Sequence, residues 1–177
     1  MLEALITSKT RIKLLLKFFL NSNNKAWLRS LESEFGESTN AIRLELNRLQ
    51  GAGLLVKLND GNKKVYQANK NHPLFPEINN LLLKYIGIDT IINSVAKNLG
   101  ELEKVYLVGE LAKGNNSNMI DLWLIGDKID KNYLLKIVEK AEKGINRKIR
   151  YLILNEKELE DFMVEKNEDE LLLLWKS

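Results

Sequence analysis

The chain has 177 residues, of which 45% are hydrophobic and 29% charged, values typical of a globular protein rather than a disordered or fibrous one. It contains no cysteine, so disulfides, thiolate metal sites and cysteine nucleophiles are excluded. The net charge of +3 hides an asymmetry: residues 1–86 carry 13 basic against 7 acidic side chains, and residues 87–177 carry 14 against 17. The basic half is therefore the expected place for a polyanion.

The apolar start of the chain does not have the pattern of a targeting segment. Arg11, Lys13 and Lys17 interrupt it at helical spacing, and no small-residue cleavage site follows. No apolar run reaches the length that a membrane helix needs. We therefore expect a cytoplasmic protein with no signal peptide and no membrane partner.

Three helices are predicted in the N-terminal half, because apolar residues recur there at three- and four-residue steps. In the third, Ser38 is placed as the N-cap, and Ile42, Leu46 and Leu49 form the buried stripe. The predicted helices run from Ser8 to about Asn21, from Trp27 to Gly36 and from Ser38 to Gly51.

Two strand-like runs, 54–58 and 64–68, follow the third helix. Between them Asp60-Gly61 supplies the positive φ of a hairpin turn, so the order predicts a winged helix-turn-helix. The run STNAIRLELNRLQGAGLL resembles the recognition helix and first wing strand of ArsR-type regulators. The tail NKNHPLFPEINNLLLKYIG resembles the segment that follows the wing in a subgroup of them.

The resemblance implies that the third helix enters the major groove of DNA while the wing reaches the backbone or minor groove. Arg43 would then suit guanine and Asn40 or Asn47 adenine, because the buried stripe turns them outward. The predicted DNA-binding residues are Ser38, Thr39, Asn40, Arg43, Asn47, Arg48, Lys63 and Lys64. Two alternatives stay open: a solvated basic face, and a protein-binding winged helix.

The joint between the halves is predicted to be helical. Pro73 and Pro76 end the wing strand, and amphipathic stretches then lead to Gly87 and to Gly100. His72, the only histidine, is expected to be structural because no metal or triad partner accompanies it. In related regulators such helices form the dimer contact, so a homodimer is expected, unless they only pack on their own domains. The predicted domains are a winged-helix DNA-binding domain at 1–75, a helical linker at 76–100 and an α/β domain at 101–177.

The second half shows the order strand, strand, helix, strand, helix, which predicts a small α/β domain and an α+β fold class for the chain. Asn155 with Glu158 forms the capping box of the last of these helices. The predicted strands cover 105–108, 120–125 and 148–154, and the first predicted helix covers 133–141.

The run VGELAKGNNSNMIDLWLIG resembles the signature of the minimal nucleotidyltransferase domain, and the ending NEKELEDFMVEKNEDELLLLWKS resembles its C-terminal helices. The family carries a Gly-Ser turn for the triphosphate and two Asp, two residues apart, for divalent metal ions. Here Glu110 aligns with the Ser of the family pattern and Met119 with its first Asp. Only Asp121 retains the acidic side chain of the pattern. A further carboxylate is expected on a later strand, where Arg150 or a Tyr stands instead.

The missing acids predict a pseudoenzyme with no catalytic residue, no bound metal and no cofactor. Asp121 is expected to cap a turn or to pair with Lys113. A vestigial nucleotide site would comprise Gly109, Glu110, Lys113 and Asp121, under a mobile loop at 114–118.

These features predict a bacterial DNA-binding transcriptional regulator whose catalytically inactive nucleotidyltransferase-like domain serves as a sensor or interaction domain. Its expected partners are double-stranded DNA, a second copy of the chain, and a small-molecule or protein effector. The alternative is an active nucleotidyltransferase that uses the winged helix to dock nucleic acid or protein. A third reading is a protein-interaction adaptor that never touches DNA.

Overall fold

A computed structural model describes residues 2–164 and 170–177 of the chain. The chain divides into two compact units, Met1–Tyr85 and Ile86–Ser177, and this division falls inside the segment predicted as a linker. Each unit combines helices with its own sheet, which confirms the mixed α+β class. Within the described residues, no helix has the length and apolar character needed to cross a membrane.

The N-terminal unit combines helices with a three-stranded antiparallel sheet. Its elements in chain order are α1 (Leu2–Leu5), α2 (Lys9–Leu15) continued by a π-helical turn (Leu16–Leu20), β1 (Ala26–Trp27), α3 (Leu28–Phe35), α4 (Thr39–Gly51), β2 (Leu55–Asp60) and β3 (Lys63–Ala68). The strand order is β1-β3-β2. Helix α5 (Phe75–Ile86) follows β3.

Local sequence signals place these elements where they were expected. Ser38 caps α4, because its Oγ accepts a hydrogen bond from the Ala41 amide at 3.2 Å. Gly61 has a φ of +55° at the hairpin turn, beside the paired residues Asp60 and Lys63. Trp27 differs from the prediction: it lies in β1, paired with Val65, and α3 begins one residue later.

The C-terminal unit is built on a four-stranded mixed sheet. Its elements are α6 (Ile88–Asn98), β4 (Glu101–Val108), α7 (Gly109–Ala112), β5 (Met119–Asp127), α8 (Lys131–Ile145), β6 (Lys148–Leu154), α9 (Glu156–Val164) and β7 (Leu171–Lys176). The strand order is β6-β5-β4-β7. Strands β5 and β6 are parallel and are joined through α8, whereas β4 is antiparallel to both of its neighbours.

The helix that follows β6 starts as predicted. Asn155 Oδ1 accepts from the Glu158 amide at 2.9 Å, and Glu158 Oε2 accepts from the Asn155 amide at 2.8 Å. The predicted capping box is thus confirmed.

The prediction of C-terminal helices holds for 156–164 but not for 171–176, and residues 165–169 lie outside the described part of the chain. Residues 171–176 form β7, which pairs antiparallel with β4 from Leu171 opposite Val108 onward. Leucine favours helices, but pairing with the outer edge of β4 supplies backbone hydrogen bonds and buries Leu171 in the core beside Trp123. Tertiary contacts therefore decide the conformation of this segment.

Candidate functional site

The site predicted in the C-terminal unit begins at the turn after β4. Gly109 has a φ of +70°, and a Cβ built there would lie 2.8 Å from Asp121 Oδ2. Asp121 faces this turn because it pairs with Val108, the last residue of β4. A side chain at position 109 would be strained and would also press on the carboxylate, so both features require glycine. The structure thus brings Gly109 and Asp121 together.

The Asp121 carboxylate is bound by Arg150 on the neighbouring strand. The two residues are register partners in the parallel pair of β5 and β6. Arg150 Nε donates to Oδ1 at 2.6 Å, and Nη2 donates to Oδ2 at 3.0 Å. The hydrogen bonds to Asp121 raise the pKa of the Arg150 guanidinium, which keeps it charged. A small pocket of about 150 Å³ is lined by both side chains.

For Asp121 the predicted alternatives are a capped turn or a pair with Lys113, and the structure gives its carboxylate a different partner, the Arg150 guanidinium. Lys113 Nζ lies 3.2 Å from Glu170 Oε1, just before β7. Tertiary structure decides this choice, because β6 places a guanidinium in register with Asp121, whereas the end of the chain brings Glu170 to Lys113.

Two further residues of the family pattern have local roles. Glu110 is exposed, and its Oε2 accepts a hydrogen bond from Asn115 Nδ2 at 2.8 Å. The backbone amide of Met119 donates to Ser117 Oγ at 3.0 Å. Both contacts lie at the ends of the loop that connects α7 to β5, so these residues shape the loop.

That loop, predicted to be mobile, is tied to the start of β6. Arg147 Nη2 donates to Asn116 Oδ1 at 3.0 Å, and Nη1 donates to the Ser117 carbonyl. The Lys148 amide donates to the Asn118 carbonyl at 2.9 Å. These bonds fix the chain where it enters β5, two residues before Asp121.

The residues present do not fit a resident divalent cation. Magnesium needs several oxygen ligands with little competition from other cations. Met119 supplies a thioether instead of an acid, and both oxygens of Asp121 already accept from Arg150. Over residues 2–164 and 170–177, no group of three histidines or acids is placed to hold a metal ion. The positive charge at this site is a guanidinium.

In the N-terminal unit, the buried and exposed faces of α4 agree with the predicted apolar stripe. Ile42, Leu46 and Leu49 are buried, while three of the predicted base-reading residues, Asn40, Arg43 and Asn47, are exposed and Thr39 is half-buried. Leu44 is also 52% exposed, so the outward face is not wholly polar.

Sequence reasoning missed the role of Glu45. Its side chain is only 6% exposed and accepts from Arg11 Nε at 2.8 Å and from Arg48 Nη1 at 3.1 Å. Arg48, predicted to bind DNA, is thus part of an ion-pair group that ties α4 to α2. No local signal marks this contact, because Arg11 and Glu45 are 34 residues apart.

The two predicted lysines of the hairpin have different surroundings. Lys63 Nζ lies 4.5 Å from the centre of the Trp27 ring, a cation–π geometry. Lys64 is exposed and pairs in register with Asn59. His72 Nδ1 accepts from the Leu74 amide at 3.1 Å, which agrees with its predicted structural role.

Comparison with known proteins gives likeness at the level of solved structures. No protein-family model and no curated protein matches the chain. A candidate nucleotidyltransferase from Sulfolobus solfataricus is 22% identical over 55% of this chain and 82% of its own, with a TM-score of 0.37. A toxin–antitoxin structure with AMP-PNP is 16% identical over 50% and 73%, with a TM-score of 0.39. A mutant of the toxin–antitoxin MntA-HpeT is 13% identical over 50% and 72%, also with a TM-score of 0.39.

These matches overturn two predictions. The structures that the chain resembles are named for nucleotidyl transfer or for toxin–antitoxin pairs, and none of those reported is a regulator of the ArsR type. The prediction of a DNA-binding transcriptional regulator is therefore wrong, and so is that of a pseudoenzyme.

Proposed function

We propose that this chain is a nucleotidyltransferase whose C-terminal unit holds a nucleoside triphosphate and whose N-terminal unit docks the acceptor. The observation that carries the proposal is the contact between Asp121 and the turn at Gly109. The contact places the Asp121 carboxylate beside a turn that has no room for a side chain. A backbone turn without a side chain is what a phosphate chain needs in order to approach the backbone closely.

The reaction would form a bond from an acceptor hydroxyl oxygen to the α-phosphorus and break the bond from that phosphorus to the leaving pyrophosphate, with the hydroxyl proton released to solvent. Such a transfer depends on positioning and on neutralising charge at the phosphoryl oxygens, rather than on covalent chemistry by the protein. At this site Arg150 supplies positive charge, and Asp121 fixes the guanidinium through two hydrogen bonds. No step is assigned to a metal ion, because the side chains at this position do not fit one.

For the N-terminal unit we propose a winged helix that docks a nucleic-acid duplex as the acceptor. Its support is the order of helices and hairpin, and the exposed face of α4 with Asn40, Arg43 and Asn47. Amides and a guanidinium on one helical face suit base edges in a major groove, and the exposed Lys64 suits phosphates.

Labelled nucleotides test the transfer. The full chain would be incubated with each α-³²P nucleoside triphosphate and with duplex DNA, RNA or protein as acceptor, with magnesium, with manganese and with EDTA. We expect Asp121→Asn to reduce labelling at least about a hundredfold, because Arg150 loses its fixed position. The matched control is Asp127→Asn, which changes an exposed acid on the same strand. Labelling that is absent, or equal in all three proteins, contradicts the proposal.

The acceptor class is tested separately by binding. Arg43→Ala should relax preference at one base position, whereas Lys64→Ala should weaken binding to all duplexes and reduce the salt slope by about one. Label recovered only on protein, with no duplex bound at any salt concentration, would show that the winged helix docks a protein instead.

A further inference from the structure

A guanidinium occupies the place at which a divalent cation would need carboxylates. Asp121 and Arg150 are register partners on parallel strands, so their side chains leave the same face of the sheet side by side. Arg150 Nε and Nη2 bond to the two oxygens of Asp121 at 2.6 and 3.0 Å. One side chain therefore takes both oxygens that a cation would use.

The pair leaves part of Arg150 available to a ligand. A guanidinium has five N–H donors, and these two bonds use two of them. The Arg150 side chain is 68% exposed, against 19% for Asp121, so the edge turned away from the carboxylate faces solvent. A planar guanidinium edge binds two oxygens of one phosphate group at once.

The carboxylate fixes the direction of this edge. Asp121 is itself confined, because the turn at Gly109 closes on its Oδ2 from the side of β4. A surface arginine normally samples many rotamers, whereas two bonds to a confined partner reduce that freedom. Arg150 is therefore preorganised in the lining of the small pocket that both side chains share.

We propose that Arg150, held by Asp121, binds a phosphate group of the nucleotide directly, and that this chain binds nucleoside triphosphates without a divalent cation. The inference deepens the proposed function, because it concerns the same site and the same ligand class. It assigns Arg150 to phosphate binding and makes Asp121 its positioning residue.

Calorimetry on the full chain tests the proposal with ATP and with inorganic tripolyphosphate, each in excess EDTA and in excess magnesium chloride. We expect the affinity for ATP to be equal in the two conditions within about threefold, and Arg150→Gln to weaken it at least about tenfold. Tripolyphosphate should bind with the same dependence on Arg150. The charge-matched control is Lys143→Gln, at an exposed position on α8, which should bind like the unchanged chain.

Each outcome separates this proposal from the proposed function. Binding that requires magnesium, or that survives Arg150→Gln unchanged, overturns metal-free phosphate binding and leaves nucleotidyl transfer standing. ATP binding that depends on Arg150 without any transfer of label overturns the proposed function alone. Absence of binding under both conditions overturns the inference directly, while the labelling assay still tests transfer.

A second variant tests the cation position itself. Arg150→Asp would set two carboxylates side by side on β5 and β6, and we expect manganese to raise the melting temperature of this variant but not of the unchanged chain. Far-UV circular dichroism would first establish that the variant is folded. A manganese-dependent rise in the unchanged chain that Asp121→Asn abolishes would show that Asp121 already holds a cation, and the inference would fail.

Discussion

Each unit of this protein contains a carboxylate held by arginine from another element, and the two differ in burial. Glu45 on α4 is 6% exposed and is bonded by Arg11 from α2 and by Arg48 from its own helix. Asp121 on β5 is 19% exposed and is bonded by Arg150, which is 68% exposed. The chemistry is the same, but one group lies within the fold and the other opens to solvent.

The difference in burial indicates different roles. Glu45 has two cationic partners within its unit, so its bonds act on folding and fix the orientation of α4 relative to α2. Arg150 has donors left over on an exposed edge, so its bonds to Asp121 prepare it for a ligand. The following predictions test this contrast, from the largest expected effect to the smallest.

Removing the buried carboxylate should have the largest effect on stability. We expect Glu45→Ala to lower the free energy of unfolding by about 2 to 3 kcal/mol, since it removes charge-assisted hydrogen bonds from a nearly buried group. Asp121→Ala should cost clearly less, because its partner is solvated. Urea unfolding followed by circular dichroism measures both, and equal losses would contradict the proposed difference between the sites.

The turn beside Asp121 should be the next most sensitive position. Gly109→Ala is expected to cost about 2 kcal/mol, and Gly36→Ala, the control, about 1 kcal/mol. Both glycines have positive φ, but a Cβ at Gly36 meets nothing within 4 Å, whereas one at Gly109 presses on Asp121 Oδ2. Asp121 cannot yield freely because Arg150 holds it. Thermal unfolding of both variants measures these costs. Equal losses of stability would show that the Asp121 carboxylate does move aside.

Acid should weaken the stability that the Glu45 network provides. Burial alone would raise the pKa of Glu45, but hydrogen bonds from Arg11 and Ser8 and the charges of Arg11 and Arg48 lower it below the ordinary 4.5. A lowered pKa in the folded state means that this stability is present above about pH 4.5 and is lost as the pH falls through the folded value.

Unfolding free energies between neutral pH and pH 3 measure this effect. Acid lowers the free energy of unfolding, and part of that decrease comes from protonation of Glu45. In the Glu45→Gln variant this part should be missing, so its stability should fall less between neutral pH and pH 3. Glu37 provides an internal comparison, because a hydrogen bond from Lys13 lowers its pKa as well. An unchanged pH slope in Glu45→Gln would show that other carboxyl groups cause the decrease.

The smallest expected effect concerns the hairpin. Lys63→Met removes the cation from the Trp27 ring and should cost about 0.5 kcal/mol, with a shift in tryptophan fluorescence. Lys64→Met serves as the control because Lys64 is exposed on the same strand. If Lys64→Met shifts the emission as much as Lys63→Met, the fluorescence does not report the Lys63 contact.

Signals within a few residues were readable from the sequence. The N-cap at Ser38, the turn at Gly61 and the reciprocal bonds of Asn155 and Glu158 depend on neighbours along the chain, so local pattern was enough to place them. The helical stripe of α4 was readable for the same reason, since its period reflects one buried face. The regulator and pseudoenzyme predictions rested on family resemblance and on absent acids rather than on such local signals.

Contacts between distant residues were not readable. Arg11 reaches Glu45 across 34 positions, and Arg150 reaches Asp121 across 29. Glu45 also bonds the nearer Arg48, whereas for Asp121 the nearer Lys113 was an alternative partner and strand register brought Arg150 to it instead. Alignment of the runs MIDLWLI and KIRYLIL would have placed Asp121 opposite Arg150, but only once these strands were known to be parallel neighbours.

The sequence by itself determined the helix caps, the hairpin turn and the buried stripe of α4, because each depends on residue type and local spacing. Only the tertiary structure decided that 171–176 form a strand, that Lys113 pairs with Glu170, and that Arg150 bonds both oxygens of Asp121. The physical reason is that strand pairing and ion pairing are competitions among distant partners. The outcome depends on which groups the folded chain brings within bonding distance.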